Sequence, residues 1–309
     1  MKRRWITIPG IVFAALLLLI TVPVWLPVAA LFDMALGRRL ATVRALTFAT
    51  AYACAEVAGL SRAMLAGQDP EANYELQRAW ALGLWNVAVG LYQLDVHLDG
   101  EDLASPGPVL LLPRHSSLAD TLLPIALIGP ARMRPRYVLK KELLWDPCLD
   151  VVGNRVPNAF VQRSGDTENA LAGVAALAKD MGQQDAIVLY PEGTRFSPER
   201  QARALARLNP ERRERCAAWR HVLPPHHGGV YAALEIRKMD VVFCAHRGLE
   251  PSANALALLN GSMIGQRIDV SLWRVSASQI PAGRAEQALW LDAMWEEMER
   301  RVEAMHRAV

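Results

Sequence analysis

The stretch from Ile6 to about Leu36 is almost wholly apolar, and Lys2, Arg3 and Arg4 precede it. It is longer than the ~20 residues that a spanning helix needs, so this run has to lie against lipid or be sealed inside a core. A secretory signal opens in the same way, but its apolar stretch is usually ~7–15 residues and ends at a small-residue cleavage site. Here the run continues through Trp25 and Phe32, which makes a retained anchor the expectation. Pro23 and Pro27 interrupt it, and Arg38, Arg39 and Arg44 follow it. Two arrangements fit: a bent helix that enters and leaves one leaflet, or a single span with a basic cluster on either side.

Two further stretches, about Leu40–Leu65 and Glu75–Leu94, read as helices with mixed apolar faces, separated by the breaker run Gly67-Gln68-Asp69-Pro70. Their Trp80, Trp85 and Tyr92 suit either a membrane interface or packing between the two helices. An apolar content of 52% is high for a soluble protein, whereas 34 basic against 31 acidic residues give no charge excess that would call for nucleic acid. Cys54, Cys148, Cys216 and Cys244 are scattered without metal-ligand spacing and read as reduced thiols of a cytosol-facing protein. The adjacent His226 and His227 would not face one ligand together, so no metal site is assigned.

After Asp99-Gly100 the composition changes. Val109–Leu112, Ala186–Tyr190 and Val241–Ala245 are short apolar strands, with helical stretches near Leu118–Leu127, Glu168–Met181 and Val230–Ile236. Strands alternating with helices imply an α/β fold with a largely buried central sheet flanked by helices, behind an N-terminal membrane-associated helical region. Ser197–Arg220 is rich in arginine and reads as two short helices broken at Asn209-Pro210. It fits a dock for anionic lipid, coenzyme A phosphates or an acidic carrier protein, and equally a solvated surface on which Glu199, Glu211 and Glu214 pair locally. From Ala285 to Val309, the apolar residues Leu291, Met294, Met298, Val302 and Met305 mark an amphipathic helix.

The chemistry-bearing residues stand where two of these strands end. His115 is followed five positions later by Asp120, with Ser116 and Ser117 between. At that spacing the carboxylate can fold back to accept the Nδ1 proton, leaving Nε2 as a general base. The two serines are better placed to cap the following helix than to act as nucleophiles, and Gly-x-Ser-x-Gly is absent. In Pro191-Glu192-Gly193-Thr194-Arg195, the glycine permits close backbone approach to an anion and Arg195 offers a planar fork for phosphate oxygens. Glu192 would repel that anion unless it orients Arg195 or binds a hydroxyl.

The His115–Asp120 pair resembles the H-x-x-x-x-D block of the glycerolphosphate and lysophospholipid acyltransferase superfamily, and residues 191–195 resemble its P-E-G-T-R block. Lys140-Lys141-Glu142-Leu143, Pro147, Gly153 and Arg163 are similar to the block that lies between them. The resemblance covers roughly residues 95 to 280. It implies residues 1–95 as a membrane-anchoring helical region and residues 96–309 as the acyltransferase domain. It further implies transfer of a fatty acyl chain from acyl-CoA or acyl-carrier protein, with no cofactor, to 1-acylglycerol-3-phosphate, giving phosphatidate. Acylation of another lysophospholipid or of a lyso-amino-acid lipid, or a non-catalytic lipid-binding protein of the same fold, are the alternatives.

By the same resemblance His115 and Asp120 are catalytic, and Glu192, Gly193, Thr194 and Arg195 bind substrate. Arg163, Lys140 and Lys141 would complete a phosphate cage. The protein would sit at a membrane, drawing its acceptor from membrane lipid, with the catalytic domain facing the cytoplasm. Two departures bear on this: Arg114 stands where the family usually has asparagine, and Val241-Val242-Phe243-Cys244-Ala245 is a weak version of the proline-valine-proline block that closes the family's site.

Overall fold

The computed structural model describes residues 2–162, 167–252 and 255–308. The chain packs as two compact units. One comprises Met1–Asp95, Leu139–Asn158 and Asn254–Arg267; the other comprises Val96–Val138, Ala159–Ala253 and Ile268–Val309. The described helices are α1 (Arg4–Ile20), α2 (Val22–Ala35), α3 (Ala41–Ala66), α4 (Pro70–Tyr92), α5 (Leu123–Ile128), α6 (Pro147–Val152), α7 (Thr167–Leu177), α8 (Pro198–Leu205), α9 (Pro210–Cys216), α10 (His227–Ile236) and α11 (Arg284–Arg307). The strands are β1 (Asp95–Asp99), β2 (Val109–Pro113), β3 (Arg134–Lys140), β4 (Ala159–Val161), β5 (Asp185–Val188), β6 (Asp240–Arg247) and β7 (Arg267–Val275).

In the first unit, the apolar run is two helices, α1 and α2, bent by 70° at Thr21. Among the described residues no single helix is long and apolar enough to cross a membrane. Pro23 has no N–H with which to continue α1, yet it fits the first turn of α2, where that donor would go unused. Pro27 stays inside α2 without breaking it. Both ends of the bent pair are tied down. Arg3 and Arg4 close on Asp150 of α6 at 2.7 and 2.9 Å, and that carboxylate is buried. At the other end Arg39 donates to the Ile264 carbonyl, and the Asp33 carboxylate accepts from the Val43 amide at 3.0 Å. Between these ties Trp5, Phe13 and Ile20 are 83%, 67% and 74% exposed, so the unit itself does not cover them.

Helix α4 starts five residues ahead of the expected Glu75, because Asp69 caps it and Pro70 sits in its first turn. Trp85 and Tyr92 are buried, and Trp80 meets Tyr52 edge-on at 6.2 Å. These aromatics pack within the unit, which is the second of the two readings open to them in the sequence.

The second unit is built on a seven-stranded sheet in the order β1-β7-β6-β2-β5-β3-β4. β2 runs parallel to both β5 and β6, whereas β7 is antiparallel to β6. Leu110, Leu112, Ile187, Val241 and Phe243 pack with Val174 and Leu177 of α7, Val230 and Ala233 of α10, and Leu291, Trp295, Met298 and Val302 of α11. Val109, Leu111, Ala186, Val188, Val242 and Cys244, which alternate with them along the strands, are also buried. Burial on both faces is why these three strands read as continuous apolar runs. The stretch expected as one helix from Leu118 is a 3-10 turn, Ala119–Thr121, followed by α5. It is shortened because the Asp120 carboxylate reaches back to the Ser116 and Ser117 amides.

Trp295 is fully buried, edge-on to Phe243, which stacks in turn on Trp273 at 5.0 Å. Trp295→Ala is expected to lower unfolding stability by about 3–5 kcal/mol, the usual result of opening so large a cavity in a core. Urea unfolding followed by tryptophan fluorescence would read this, and a loss under ~1 kcal/mol would mean that α11 is not integral to the core.

Candidate active site

Because β2, β5 and β6 are parallel, their C-terminal ends open on one edge of the sheet. That edge is where ligands bind in open α/β sheets. It gathers Arg114 and His115 after β2, Tyr190–Glu192 after β5, and His246 near the end of β6.

The His115 Nδ1 lies 3.1 Å from Oδ1 of Asp120. The other carboxylate oxygen accepts the backbone amides of Ser116 at 2.6 Å and Ser117 at 2.7 Å. Since Oδ1 of an ionised carboxylate only accepts, Nδ1 carries the proton and Nε2 is left with its lone pair. Burial works against the charge on Asp120. The hydrogen bond from His115, the His115 and His246 imidazoles and the Ser117 amide outweigh it and hold the carboxyl below its ordinary range. Tyr190 completes the mounting: its hydroxyl donates to the Asp120 carbonyl at 2.9 Å and its ring lies 4.7 Å from that of His115.

Arg114, in place of the family's asparagine, is buried. Its guanidinium donates to the carbonyls of His221 at 2.9 Å and His246 at 2.7 Å, and pairs with Glu250. Burial opposes the charge on Glu250, but Arg114 draws its carboxyl down to about 2. The arginine thus cross-links the loops behind His115.

Glu192 is also buried. Its two oxygens accept the backbone amides of His115 at 3.0 Å and Leu223 at 2.9 Å, and burial pushes its carboxyl up to about 8. The resemblance implied a substrate-positioning role for this residue. In the structure its carboxylate is committed to backbone, and what it positions is the peptide that carries His115. Gly193 takes φ +64°, a left-handed conformation that favours glycine, and a Cβ there would stand 3.3 Å from the His226 ring. The amide of Phe196 donates to the His115 carbonyl at 2.7 Å, a second tie between the two blocks. Thr194 and Arg195 are half-buried in this turn, and Arg200 donates to the Arg195 carbonyl at 3.0 Å.

The remaining expected residues are placed differently. Arg163 lies outside the described residues. Lys140 ends β3 and the exposed Lys141 opens the 3-10 turn Lys141–Trp145. Both belong to the unit that holds the N-terminal helices, whereas His115, Asp120 and residues 192–195 belong to the sheet unit. The arginine-rich segment forms two short helices, α8 and α9, as its Asn209-Pro210 break indicated. Arg212 is committed to Asp292 and Arg213 to carbonyls at the end of α8, while Arg203, Arg207 and Arg220 are exposed.

Residues 95–246 match the family model described as Acyltransferase. This part of the chain belongs to the acyltransferase family. In fold the chain is similar to the crystal structure of the 1-acyl-sn-glycerophosphate (LPA) acyltransferase, PlsC, from Thermotoga maritima, with a TM-score of 0.60. That match covers 88% of this chain and 97% of the other at 16% identity, so the likeness is one of fold. Three contributors had no part in the sequence reading. His246 had a signal: it is the polar residue that follows the apolar run Val241–Ala245 in the same strand. Glu250 and the Leu223 amide had none.

Proposed function

We propose that this acyltransferase moves a fatty acyl chain from acyl-CoA or acyl-carrier protein to the free hydroxyl of a lysophospholipid, with 1-acylglycerol-3-phosphate as the acceptor that fits best. The observation that carries the reading is the His115 ring, oriented by Asp120 at the sheet edge and tied through its backbone to the glycine turn. The hydroxyl of the acceptor attacks the thioester carbonyl while His115 Nε2 takes its proton. Asp120 stabilises the imidazolium that results. The tetrahedral intermediate collapses with loss of the thiolate, which takes the proton back from His115, so one ester and one thiol are formed. The Gly193-Thr194-Arg195 turn is assigned to the acceptor phosphate, because Arg195 matches its oxygens in a bidentate fork. Lys140, Lys141 and Arg163 are kept as further phosphate ligands on the strength of the resemblance. Purified protein in detergent, given either acyl donor and a panel of lysolipids, tests the reading. Transfer to the phosphomonoester acceptor above all others is expected; thioester hydrolysis with no acylated lipid formed would refute it.

Membrane attachment through α1 and α2 is part of the proposal, with catalysis on the cytoplasmic side where both donors are found. Helices of 17 and 14 residues extend about 25 and 21 Å at ~1.5 Å per residue, short of the ~30 Å hydrocarbon core. With both ends held by one unit, the bent pair suits insertion into a single leaflet. Removing residues 1–36 should weaken association with vesicles, and what remains should be released by high salt. Phe13→Asp with Ile20→Asp should do the same in the intact chain, since both side chains are exposed and carry no fold. Unchanged vesicle binding by the double variant would rule out the bent pair as the anchor.

A further inference from the structure

Behind the dyad lies a second imidazole. His246 has no exposed surface, and its Nε2 stands 3.0 Å from the carbonyl oxygen of Arg114 and 3.8 Å from Oδ2 of Asp120. A carbonyl only accepts, so Nε2 carries the hydrogen; Nδ1 is a lone pair with no partner among the described residues. Three charged or titratable groups face this ring: Asp120 from the 3-10 turn after β2, Arg114 from the end of β2, and Glu250 from the turn after β6. Burial, with Arg114 adding to it, keeps the ring neutral against the pull of Asp120 and Glu250. No step of the proposed transfer uses it.

We propose that His246 is a positioning residue for acyl transfer: its Nε2–H fixes the carbonyl of the residue that precedes His115, and its positive edge supports the charge on Asp120. It touches no reacting atom. The inference rests on His115 being the base. Geometrically, the Arg114 peptide is gripped at both sides of its Cα, by the guanidinium contacts of its own side chain and by this imidazole at its carbonyl. A rotation of that peptide would turn the His115 ring away from Asp120. Electrostatically, an N–H beside Asp120 favours its ionised form, so the carboxylate that orients His115 persists to lower pH.

The test is steady-state kinetics on full-length protein in detergent across pH, with acyl-CoA and 1-acylglycerol-3-phosphate. His246→Leu removes the donor at near-constant volume. It should lower kcat by about tenfold, the worth of one hydrogen bond in the transition state, and leave the acceptor KM within about twofold. The acid limb of the kcat/KM profile should move to higher pH. His246→Gln, whose amide nitrogen reaches the Nε2 position, should restore most of the rate, whereas His246→Asn, whose amide falls at the Nδ1 position, should not. Equal activity of the Gln and Asn variants would overturn the proposal even if the Leu variant failed to fold. His115→Ala belongs in the same series. If it is inactive while His246→Leu keeps the wild-type rate and profile, the base stands and the positioning role falls. If His115→Ala is active, both fall.

Discussion

A His115→Ala protein should fold normally and lose acyl transfer by ~10²–10⁴, the range in which a general base contributes. The ring is buried at the sheet edge, bonded among the described residues through Nδ1 and packed against the Tyr190 ring, so truncation removes one hydrogen bond and one ring contact and leaves the sheet core untouched. The loss should fall on kcat, because no substrate contact is assigned to the imidazole. A mass-spectrometric assay of acylated product, with circular dichroism to confirm the fold, measures it. Turnover within a few-fold of wild type in a folded variant would remove His115 from the mechanism.

Asp120→Asn should be as damaging, for a reason that the geometry makes specific. One carboxylate oxygen accepts two backbone amides, from Ser116 and Ser117, and the other accepts His115 Nδ1–H. An amide NH2 in the first place would face two donors, which is prohibitive in a buried site. It is therefore driven to the second place, where it donates to Nδ1 and moves the ring proton to Nε2. The base then has no lone pair to offer. In the Ser-His-Asp template the equivalent change costs about 10⁴ in kcat with the geometry intact, and a comparable loss is expected here. Retained activity would mean that the tautomer is not set by Asp120.

The carboxylate also carries a stability signature. Its folded-state pKa lies below the ordinary value, so it contributes stability above the unfolded carboxylate pKa and loses it as pH falls through the lower, folded one. Acid unfolding of Asp120→Asn should lack that increment.

How much of this was legible in the sequence depends on how local each signal is. His115 and Asp120 are five residues apart, and a pairing over that distance can be read from spacing. Glu192 meets the His115 and Leu223 amides; backbone donors look alike in every sequence, so its real partners carried no mark. Strands β2, β5 and β6 announced themselves through burial on both faces. β1 was silent because most of its residues are exposed, and β4 because it is three residues long. β7 mixes Asp269 and Arg274 with its apolar residues, as an antiparallel strand with polar positions does. The position of the bend between α1 and α2 was hidden because three prolines, Pro9, Pro23 and Pro27, stood in the run and only Pro23 opens a new helix. The return of residues 139–158 and 254–267 to the N-terminal unit left no trace in chain order.

The Glu192–Leu223 bond has one more consequence. It joins two residues that flank the whole arginine-rich excursion of α8 and α9, so this carboxylate closes a loop at its neck. The excursion is also held along its length, by Arg212 on Asp292 and by Leu205 and Leu208 on the core, so its base does not depend on the exposed chain between the two helices. Extra chain adds closure entropy only logarithmically, about 0.6 kcal/mol for each doubling of length. Leu208 packs against the core and Asn209 caps α9, so the graft point is the exposed step from Ala206 to Arg207, where a foreign segment such as an affinity tag or a small reporter module could be inserted without displacing His115 from Asp120.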